Sequence, residues 1–464
     1  MKWLSGGERS EMKQTIKAKR LGRCLSSVRI LLVLYEFTRL FFVYPEGDYL
    51  NLINGFFAAA GILSLVIDLK EDPRVFRTPQ AIFSALILFL AAFSTYCSVG
   101  TIHWILPEWL LQLAWFTLFL HINLSLYSKK EMIHELKTVN FLILILTFFG
   151  TALSLAGYVL SLRGASAFSW LPVDTAYMNG DRFQGMYRWP TICGIINLIA
   201  IIESLMHFRK AKNSFRVFLV LNICMQLYSM YLARSRAPMI ALIAVLLVCV
   251  IYGFLNIKDK KVSFGLLLLL IVGIFGTGVI FMQRGGINQG TLEAYHSYLN
   301  SLPDPNGPYA MSFSEFRLDL LSNSRVRTWK AAIAATSSMP FLIRGWGITN
   351  FNNIVSWVFP GLAQSFPDLM HNMFVQSFLD TGLIGMISFV SLIVLNIKAG
   401  VKVIFRQHSD ELLGMFLILI AIAVYCCFDL GIWFRKWFYS GIFWLFSGYF
   451  WWLCRYEKQA AGSN

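Results

Sequence analysis

Apolar segments of about 20 residues recur along the whole chain and alternate with polar segments. An α-helix needs about that length to cross the hydrocarbon core of a bilayer. The pattern therefore predicts an all-α membrane protein, with a single polytopic domain over residues 1–464. We expect about 12 transmembrane helices, at residues 25–44, 51–68, 79–97, 104–124, 139–162, 189–207, 214–232, 238–256, 262–282, 372–397, 411–431 and 437–454.

The polar segments differ greatly in length. Residues 1–24 form a basic tail without the short apolar core of a signal peptide, so no cleaved signal is expected. Residues 283–371, between the ninth and tenth predicted spans, are too many for a plain connection. Helical periodicity at 315–337 predicts that this long loop is partly helical, and a turn-rich stretch lies at 301–309.

Composition supports a membrane location and narrows the choice of ligands. The chain is 57% hydrophobic and only 14% charged, whereas soluble domains carry about 25% charged residues. A net charge of +15 suggests anionic lipid head groups or an anionic substrate, and no nucleic acid is expected as a partner. The eight cysteines are scattered without metal-ligand spacing, and the adjacent Cys426 and Cys427 are interpreted as packing residues.

Positive charges in alternate loops predict the orientation of the chain. Lysine-rich segments follow every second span, and the positive-inside rule places them in the cytoplasm together with both termini. They contain Lys70, Arg74 and Arg77; Lys129, Lys130 and Lys137; Arg209, Lys210, Lys212 and Arg216; Lys258, Lys260 and Lys261; and Lys398, Lys402 and Arg406. The loops at 45–50 and 98–103 contain neither lysine nor arginine.

Three predicted outer segments, at 163–188, 233–237 and 283–371, are rich in arginine instead. They carry Arg163, Arg182, Arg188, Arg234, Arg236, Arg284, Arg317, Arg325, Arg327 and Arg344, with Lys330 as the single lysine. Arginine presents a planar fork that binds phosphate in a bidentate manner. This bias favours an anionic, phosphate-bearing substrate at the outer face. The alternative is that these arginines pair with lipid phosphates or with outer acids such as Asp181, Glu293, Glu315, Asp319 and Asp368.

His371, at the mouth of the tenth predicted span, is the candidate base. An imidazole with a pKa near 6.5 can accept a proton from a sugar hydroxyl at neutral pH. Asn372 would orient a substrate or cap the helix. Asp429 and Arg435, near the outer ends of the last two predicted spans, are expected to form a structural pair. The alternative is an ordinary interfacial histidine, and His296 in the same long loop is the rival candidate. The outer segments lack an Asp-x-Asp motif and the chain lacks a Walker A motif, so neither a metal nor ATP is expected.

Four stretches of the chain carry distinctive motifs: RFQGMYRWPT, LARSRAPMIALI, SRVRTWKAAIAATSSMPFLIRGWG and HNMFVQSFLDTGLIGM, in this order. Together they resemble the O-antigen ligase and polymerase superfamily of bacterial membrane glycosyltransferases. HNMFVQSFLDTGLIGM is similar to HNxxLQxxxExGxxG, with Asp380 in place of the glutamate. RFQGMYRWPT resembles RxxGxFxxPN, with Thr191 in place of the asparagine. LARSRAPMIALI resembles SRxxxxAL, and SRVRTWKAAIAATSSMPFLIRGWG resembles gRxxxWxxAlxxixxxPxxGxG.

The resemblance implies a GT-C-like glycosyltransferase in the bacterial inner membrane, with its active site facing outward and partly built from the long loop. The implied donor is a glycan on undecaprenyl diphosphate, the acceptor is a glycan or lipid, and transfer inverts the anomeric centre without metal or other cofactor. His371 is implied as the catalytic residue, with Asn372, Trp329, Gly345 and Gly347 in support. The implied diphosphate ligands are Arg236, Arg325, Arg182, Arg234, Arg327 and Arg188.

Three functions remain open at this point. A polymerase of O-antigen, capsule or exopolysaccharide is slightly preferred over a ligase that moves finished glycan to lipid A-core or another acceptor. A chain-length regulator or a flippase is the candidate partner protein. From another class, a lipid-linked oligosaccharide flippase would need charges that line a path across the membrane, and Arg39 and Glu203 are among the few charged residues near span interiors.

Overall fold

The fold is taken from a computed structural model of the chain. It describes residues 6–41, 48–71, 77–121, 127–163, 178–179, 182–187, 189–208, 210–256, 260–284, 290–300, 312, 314–316, 325–348, 370–406, 410–429 and 438–462. Described helices, in chain order, are α1 Gly6–Phe41, α2 Asp48–Glu71, α3 Pro79–Val99, α4 Leu106–Trp115, α5 Lys129–Leu162, α6 Pro190–Phe208, α7 Asn213–Ala233, α8 Arg236–Asn256, α9 Lys260–Arg284, α10 Gly290–Asn300, α11 Arg325–Thr336, α12 Phe341–Arg344, α13 Met373–Arg406, α14 Asp410–Cys426 and α15 Phe438–Gly462.

Short elements complete the described structure. A π-helical turn, Phe116–Leu120, continues α4, and 3-10 turns lie at His103–Ile105 and Gly185–Tyr187. The strands β1, Met178–Asn179, and β2, Arg182–Phe183, form a small antiparallel hairpin before α6.

Every predicted span overlaps one of these helices. In the described part of the chain, seven helices are long and apolar enough to cross a membrane. The prediction of an all-α membrane protein is therefore confirmed, while the number of twelve spans stays a prediction. The segment 283–371 contains α10, α11 and α12, and α11 lies within residues 315–337, whose periodicity predicted a helix.

Local sequence sets the helix ends. Ser128 and Glu131 form a reciprocal capping box at the start of α5, because each side chain accepts a hydrogen bond from the other's backbone N–H. Thr78 accepts a hydrogen bond from the Ala81 N–H at the start of α3, and Gly100 ends that helix with φ of 78°. A break divides α13 at Gly382, where φ is 68°.

Burial places α6 at the centre and α7 and α8 at the periphery. Of the apolar window of α6, 72% is buried, against 28% for α7 and for α8. Large exposed apolar side chains lie on α7, α8 and α9, including Leu221, Leu247 and Phe275. These surfaces fit a lipid environment, which carries no penalty for apolar exposure.

Two close approaches fix which helix ends lie together. Gly414, near the start of α14, has no room for a Cβ beside Met206 of α6, and Lys210 Nζ lies 2.7 Å from Glu411 Oε1. At the other end, a Cβ on Gly194 of α6 would lie 2.6 Å from Pro238 Cγ of α8. The starts of α6 and α8 therefore share one end of the bundle with the end of α14. We call this the arginine end, defined by Arg182, Arg234, Arg236 and Arg325.

A buried ion pair joins α1 and α5. Arg29 Nε of α1 lies 2.6 Å from Glu135 Oε1 of α5, and the Tyr449 hydroxyl donates to the same carboxylate oxygen, 2.5 Å away. Both charged side chains are almost fully enclosed, so neither can be removed without leaving the other uncompensated.

Candidate functional site

Three predicted site residues bind consecutive residues of one turn. Asn372 Nδ2 donates to the Cys427 carbonyl at 2.9 Å. Arg325 Nη1 donates to the Phe428 carbonyl. His371 Nδ1 lies 3.2 Å from Asp429 Oδ1. The turn Cys427–Asp429, directly after α14, therefore joins residues that lie far apart in sequence.

The last turn of α14 organises this meeting point. The Cys427 N–H donates to the Val424 carbonyl at 3.1 Å, and the Phe428 N–H donates to the Tyr425 carbonyl at 2.9 Å. The Tyr425 hydroxyl donates to Asp429 Oδ2 at 2.9 Å. A helix C-terminus carries partial negative charge, which favours cations. Together with the Asp429 carboxylate, it makes this turn a binding place for the Arg325 guanidinium and the imidazole.

The chain around His371 is tightly held. His371 adopts the left-handed conformation with φ of 46°. Asn372 caps α13, because its Oδ1 accepts hydrogen bonds from the N–H groups of Phe374 and Val375 at 3.0 and 3.1 Å. The Met370 carbonyl accepts a hydrogen bond from Trp329 Nε1 at 2.5 Å. Through these contacts Asn372 and Trp329 hold the backbone on both sides of the imidazole.

The geometry gives the two ring nitrogens of His371 different tasks. A carboxylate accepts hydrogen bonds, so in the neutral imidazole the proton is assigned to Nδ1, facing Asp429, and the lone pair to Nε2. About 33% of the side chain is exposed, whereas Asp429 is 8% exposed. A reactant can therefore approach the imidazole while the carboxylate stays shielded. This arrangement can accept a proton at Nε2 and stabilise the resulting imidazolium.

Arg325, the first residue of α11, is the charged neighbour of this pair. Burial lowers the pKa of its guanidinium, while the fields of Asp429 and Tyr425 act to raise it. The guanidinium stays charged throughout the physiological range. It supplies a fixed positive charge close to the His371 imidazole.

A second group of arginines surrounds the corner between α7 and α8. Arg182 Nε donates to the Ala233 carbonyl at 3.3 Å. Arg234 ends α7 in the left-handed conformation with φ of 47° and is exposed. Arg236 is the half-buried first residue of α8. The N-termini of α6 and α8 meet here, and helix N-termini favour anions.

The two groups lie at the same end of the molecule. Helix α8 packs against both α13 and α14. Arg236, in its first turn, is therefore on a helix next to the one that ends in the Cys427–Asp429 turn. The predicted ligand Arg188 and the side chain of Arg327 lie outside the described residues, as does Arg435.

Gly345 and Gly347 shape the loop and touch the broken part of α13. Their φ angles are 73° and 90°, which favour glycine. A Cβ on Gly345 would lie 2.5 Å from the Asp380 carbonyl oxygen, and one on Gly347 would lie 2.7 Å from Thr95 Cα. The Gly347 N–H donates to the Asp380 carbonyl at 2.9 Å. Both glycines therefore permit close packing of the loop against α3 and α13.

Other candidates have different surroundings. The rival His296 is exposed on α10 with its ring centroid 6.0 Å from that of Tyr295. In the part of the chain that the structure describes, no group of three or more metal-ligating side chains occurs. All eight cysteines are free thiols, in agreement with the sequence interpretation of Cys426 and Cys427.

Sequence reasoning missed Asp429 and Tyr425. It expected Asp429 to pair with Arg435, which lies outside the described residues, and it did not foresee that the Asp429 carboxylate lies against His371. The available signal was the stretch YCCFD at the end of a predicted span, in which tyrosine and aspartate are four residues apart.

Comparison with known proteins adds a family assignment. Residues 219–390 match the family model described as O-antigen ligase. A search of curated proteins gives no match. The matched region begins in α7 and ends in α13, so it includes Arg234, Arg236, Arg325 and His371, while Asp429 lies beyond it. This match supports the resemblance to the O-antigen ligase and polymerase superfamily over residues 219–390.

Proposed function

We propose that the protein transfers a glycan from undecaprenyl diphosphate to an acceptor hydroxyl at the outer face of the bacterial inner membrane. The observation that carries this proposal is the contact of His371 with Asp429 beside Arg325, at the arginine end of the bundle. The proposed topology has twelve spans, a GT-C-like arrangement and both termini in the cytoplasm. The arginine end then faces outward, where lipid-linked glycans are assembled.

The proposed reaction is a single displacement. His371 Nε2 takes the proton of the acceptor hydroxyl as its oxygen attacks the anomeric carbon of the donor. The bond between that carbon and the diphosphate oxygen breaks, and the lipid diphosphate departs with the electron pair. Attack opposite to the leaving group inverts the anomeric centre. Asp429 stabilises the imidazolium that forms, as a buried carboxylate does for a catalytic histidine.

Arginine side chains would stabilise the departing diphosphate. Their planar forks match phosphate oxygens, and fixed positive charges reduce the barrier when negative charge develops in a shielded site. Arg325 is assigned to the reacting phosphate because it lies beside the base. Arg182, Arg234 and Arg236, with Arg188 and Arg327, are assigned to the remainder of the diphosphate. These residues need no metal to balance the charge of the leaving group.

A polymerase and a ligase would use the same base and the same arginines, and they differ in the acceptor. The matched family model is described as O-antigen ligase, so it gives no support for a polymerase over a ligase. We keep the polymerase as the first candidate and a ligase that acts on lipid A-core or another acceptor as the second. A chain-length regulator or a flippase is the proposed partner protein of the polymerase form.

A flippase is the third candidate, favoured by one observation. Glu203 lies fully buried in α6, with one carboxylate oxygen 3.7 Å from His207 Nε2. Buried charges within spans often mark transport paths. The concentration of site residues at one end of the bundle favours a one-sided reaction instead.

Complementation of the host lacking this gene tests the proposal. Wild type, His371→Ala, Arg236→Ala and Lys212→Ala are compared at matched membrane levels, and surface glycan is read on gels. Lys212 is an exposed cation at the opposite end and serves as the control. We expect wild type and Lys212→Ala to restore the glycan and the other two variants to fail.

The glycan pattern of the null strain separates the candidates. Single repeats on the normal acceptor, converted to long chains by wild type, indicate a polymerase. Long chains that remain on the lipid carrier in the null strain indicate a ligase. Wild-type glycan in both His371→Ala and Arg236→Ala cells contradicts the site and favours the flippase.

A further inference from the structure

Tyr425 occupies the last turn of α14, and its side chain is completely buried. Its hydroxyl donates a 2.9 Å hydrogen bond to Asp429 Oδ2. Residues four apart lie on one face of a helix, so a tyrosine in the last turn can reach a carboxylate just beyond the helix end. This hydroxyl faces the carboxylate from the protein interior.

The two oxygens of Asp429 have different partners. Oδ1 faces His371 Nδ1, and Oδ2 accepts the hydrogen bond from Tyr425. Asp429 lies in the turn after α14. The tyrosine, in contrast, is held by the packed core.

A competing partner lies close to the carboxylate. The positive charge of Arg325 attracts Asp429, and Arg325 is anchored one residue away at the Phe428 carbonyl. A guanidinium binds a carboxylate more strongly than a neutral imidazole does. Without a second constraint, the carboxylate would turn toward Arg325. His371 would then lose the group that orients its ring.

We propose that Tyr425 is a positioning residue that holds the Asp429 carboxylate against His371 and away from Arg325. This inference rests on the proposed glycosyl transfer, because it assigns the purpose of the contact to that reaction. Tyr425 does not touch the substrate and acts only through Asp429. It also keeps Arg325 available for the diphosphate of the donor.

A double-mutant cycle tests the proposal on the purified full-length protein in lipid nanodiscs. The variants are Tyr425→Phe, Asp429→Asn and the double variant, assayed with a glycan on undecaprenyl diphosphate as donor. We expect Tyr425→Phe to lower kcat about tenfold, with KM for the donor changed by less than about twofold. In the Asp429→Asn background the same change should lower kcat by less than about twofold, because residues that act through one another are not additive.

The pH profile gives a readout that a purely structural tyrosine would not alter. In Tyr425→Phe the carboxylate turns toward Arg325 and no longer stabilises the imidazolium form of His371, so a lower pH is needed to protonate the ring. The acid limb of the kcat profile of Tyr425→Phe should therefore move to lower pH. Tyr35→Phe is the matched control, since Tyr35, in α1, also loses a part-buried side-chain hydrogen bond, 3.0 Å to Asn54 Oδ1. Its kcat and its acid limb should equal those of wild type.

Four results would overturn the proposal. The first is a wild-type kcat in Tyr425→Phe, and the second is an equal loss in both backgrounds of the cycle. The third is an unshifted acid limb. Failure of both Tyr425→Phe and Tyr425→Leu to accumulate as folded protein is the fourth, because the hydroxyl is then a folding contact. A wild-type protein that transfers no glycan from the diphosphate donor contradicts the proposed function itself, which is a separate failure.

Discussion

His371 Nδ1 lies 3.2 Å from Asp429 Oδ1, although 58 residues separate the two in sequence. The contact forms because α14 ends where α13 begins, so the turn after one helix meets the residues before the other. It turns a histidine at a span mouth into an oriented imidazole with one nitrogen available to a reactant.

Replacement of Asp429 by asparagine should impair transfer while leaving the protein folded. The amide retains the shape of the carboxylate but cannot stabilise an imidazolium. We expect kcat to fall on the order of 10²- to 10⁴-fold, the range of a general-base contribution. Steady-state assays in nanodiscs measure this, and melting in detergent confirms the fold. A loss of less than about threefold would show that the carboxylate is dispensable.

Arg325→Lys tests whether shape as well as charge is required. Lysine keeps the positive charge but cannot form the planar fork that binds phosphate oxygens in pairs. We expect a loss of at least about tenfold in kcat/KM for the diphosphate donor, and a larger loss for Arg325→Ala. The exposed Lys212→Arg at the opposite end is the matched control and should be neutral. Equal activity of Arg325→Lys and wild type would contradict the assignment of Arg325 to phosphate.

Gly347→Ala should act on stability rather than on chemistry. The residue has φ of 90°, and a Cβ would lie 2.7 Å from Thr95 Cα. Both effects strain the loop against α3, with a cost of about 1–3 kcal/mol for the backbone conformation alone. The control is Gly265→Ala on α9, where nothing lies within 4 Å of an added Cβ. We expect only Gly347→Ala to have a lower melting temperature than wild type. Equal melting temperatures of the two variants would contradict this prediction.

Glu135→Gln should destabilise the bundle far from the site. The change leaves the Arg29 guanidinium, 1% exposed, without its charged partner. Breaking a buried pair from one side costs about 3–5 kcal/mol. Unfolding in detergent should show this loss, whereas the exposed Glu131→Gln should cost about 1 kcal/mol or less as a helix cap. Folded Glu135→Gln protein should retain the kcat of wild type, and a selective loss of kcat would connect this ion pair to the reaction.

The fold class was predictable because each membrane-spanning segment must by itself be long enough and apolar enough to cross the bilayer. Length and hydropathy along α3 or α8 suffice to predict a helix, whatever the rest of the chain does. The arginine-rich outer segments were equally predictable, since the predicted spans on either side locate the loop that contains Arg236. Helix-end chemistry, as at Ser128 and Glu131, is also local.

The internal geometry of the site was not predictable in the same way. His371 and Asp429 meet through the packing of α13 against α14, and no local pattern encodes that contact. An aspartate next to a predicted span can pair with any outer cation, and Arg435 was the nearer choice in sequence. Gly345 and Gly347 were found through motif resemblance, but their close approach to Asp380 and Thr95 depends on the tertiary fold.

The most direct test of the account is a single-turnover assay of purified wild type and His371→Ala in nanodiscs. The donor is a glycan on undecaprenyl diphosphate, and an acceptor glycan is supplied. The assay counts new glycosidic bonds and released lipid diphosphate. We predict one released diphosphate per bond formed by wild type. We predict a rate at least on the order of 10²-fold lower for His371→Ala than for wild type. Equal rates for the two proteins would contradict the assignment of His371 as the base that activates the acceptor.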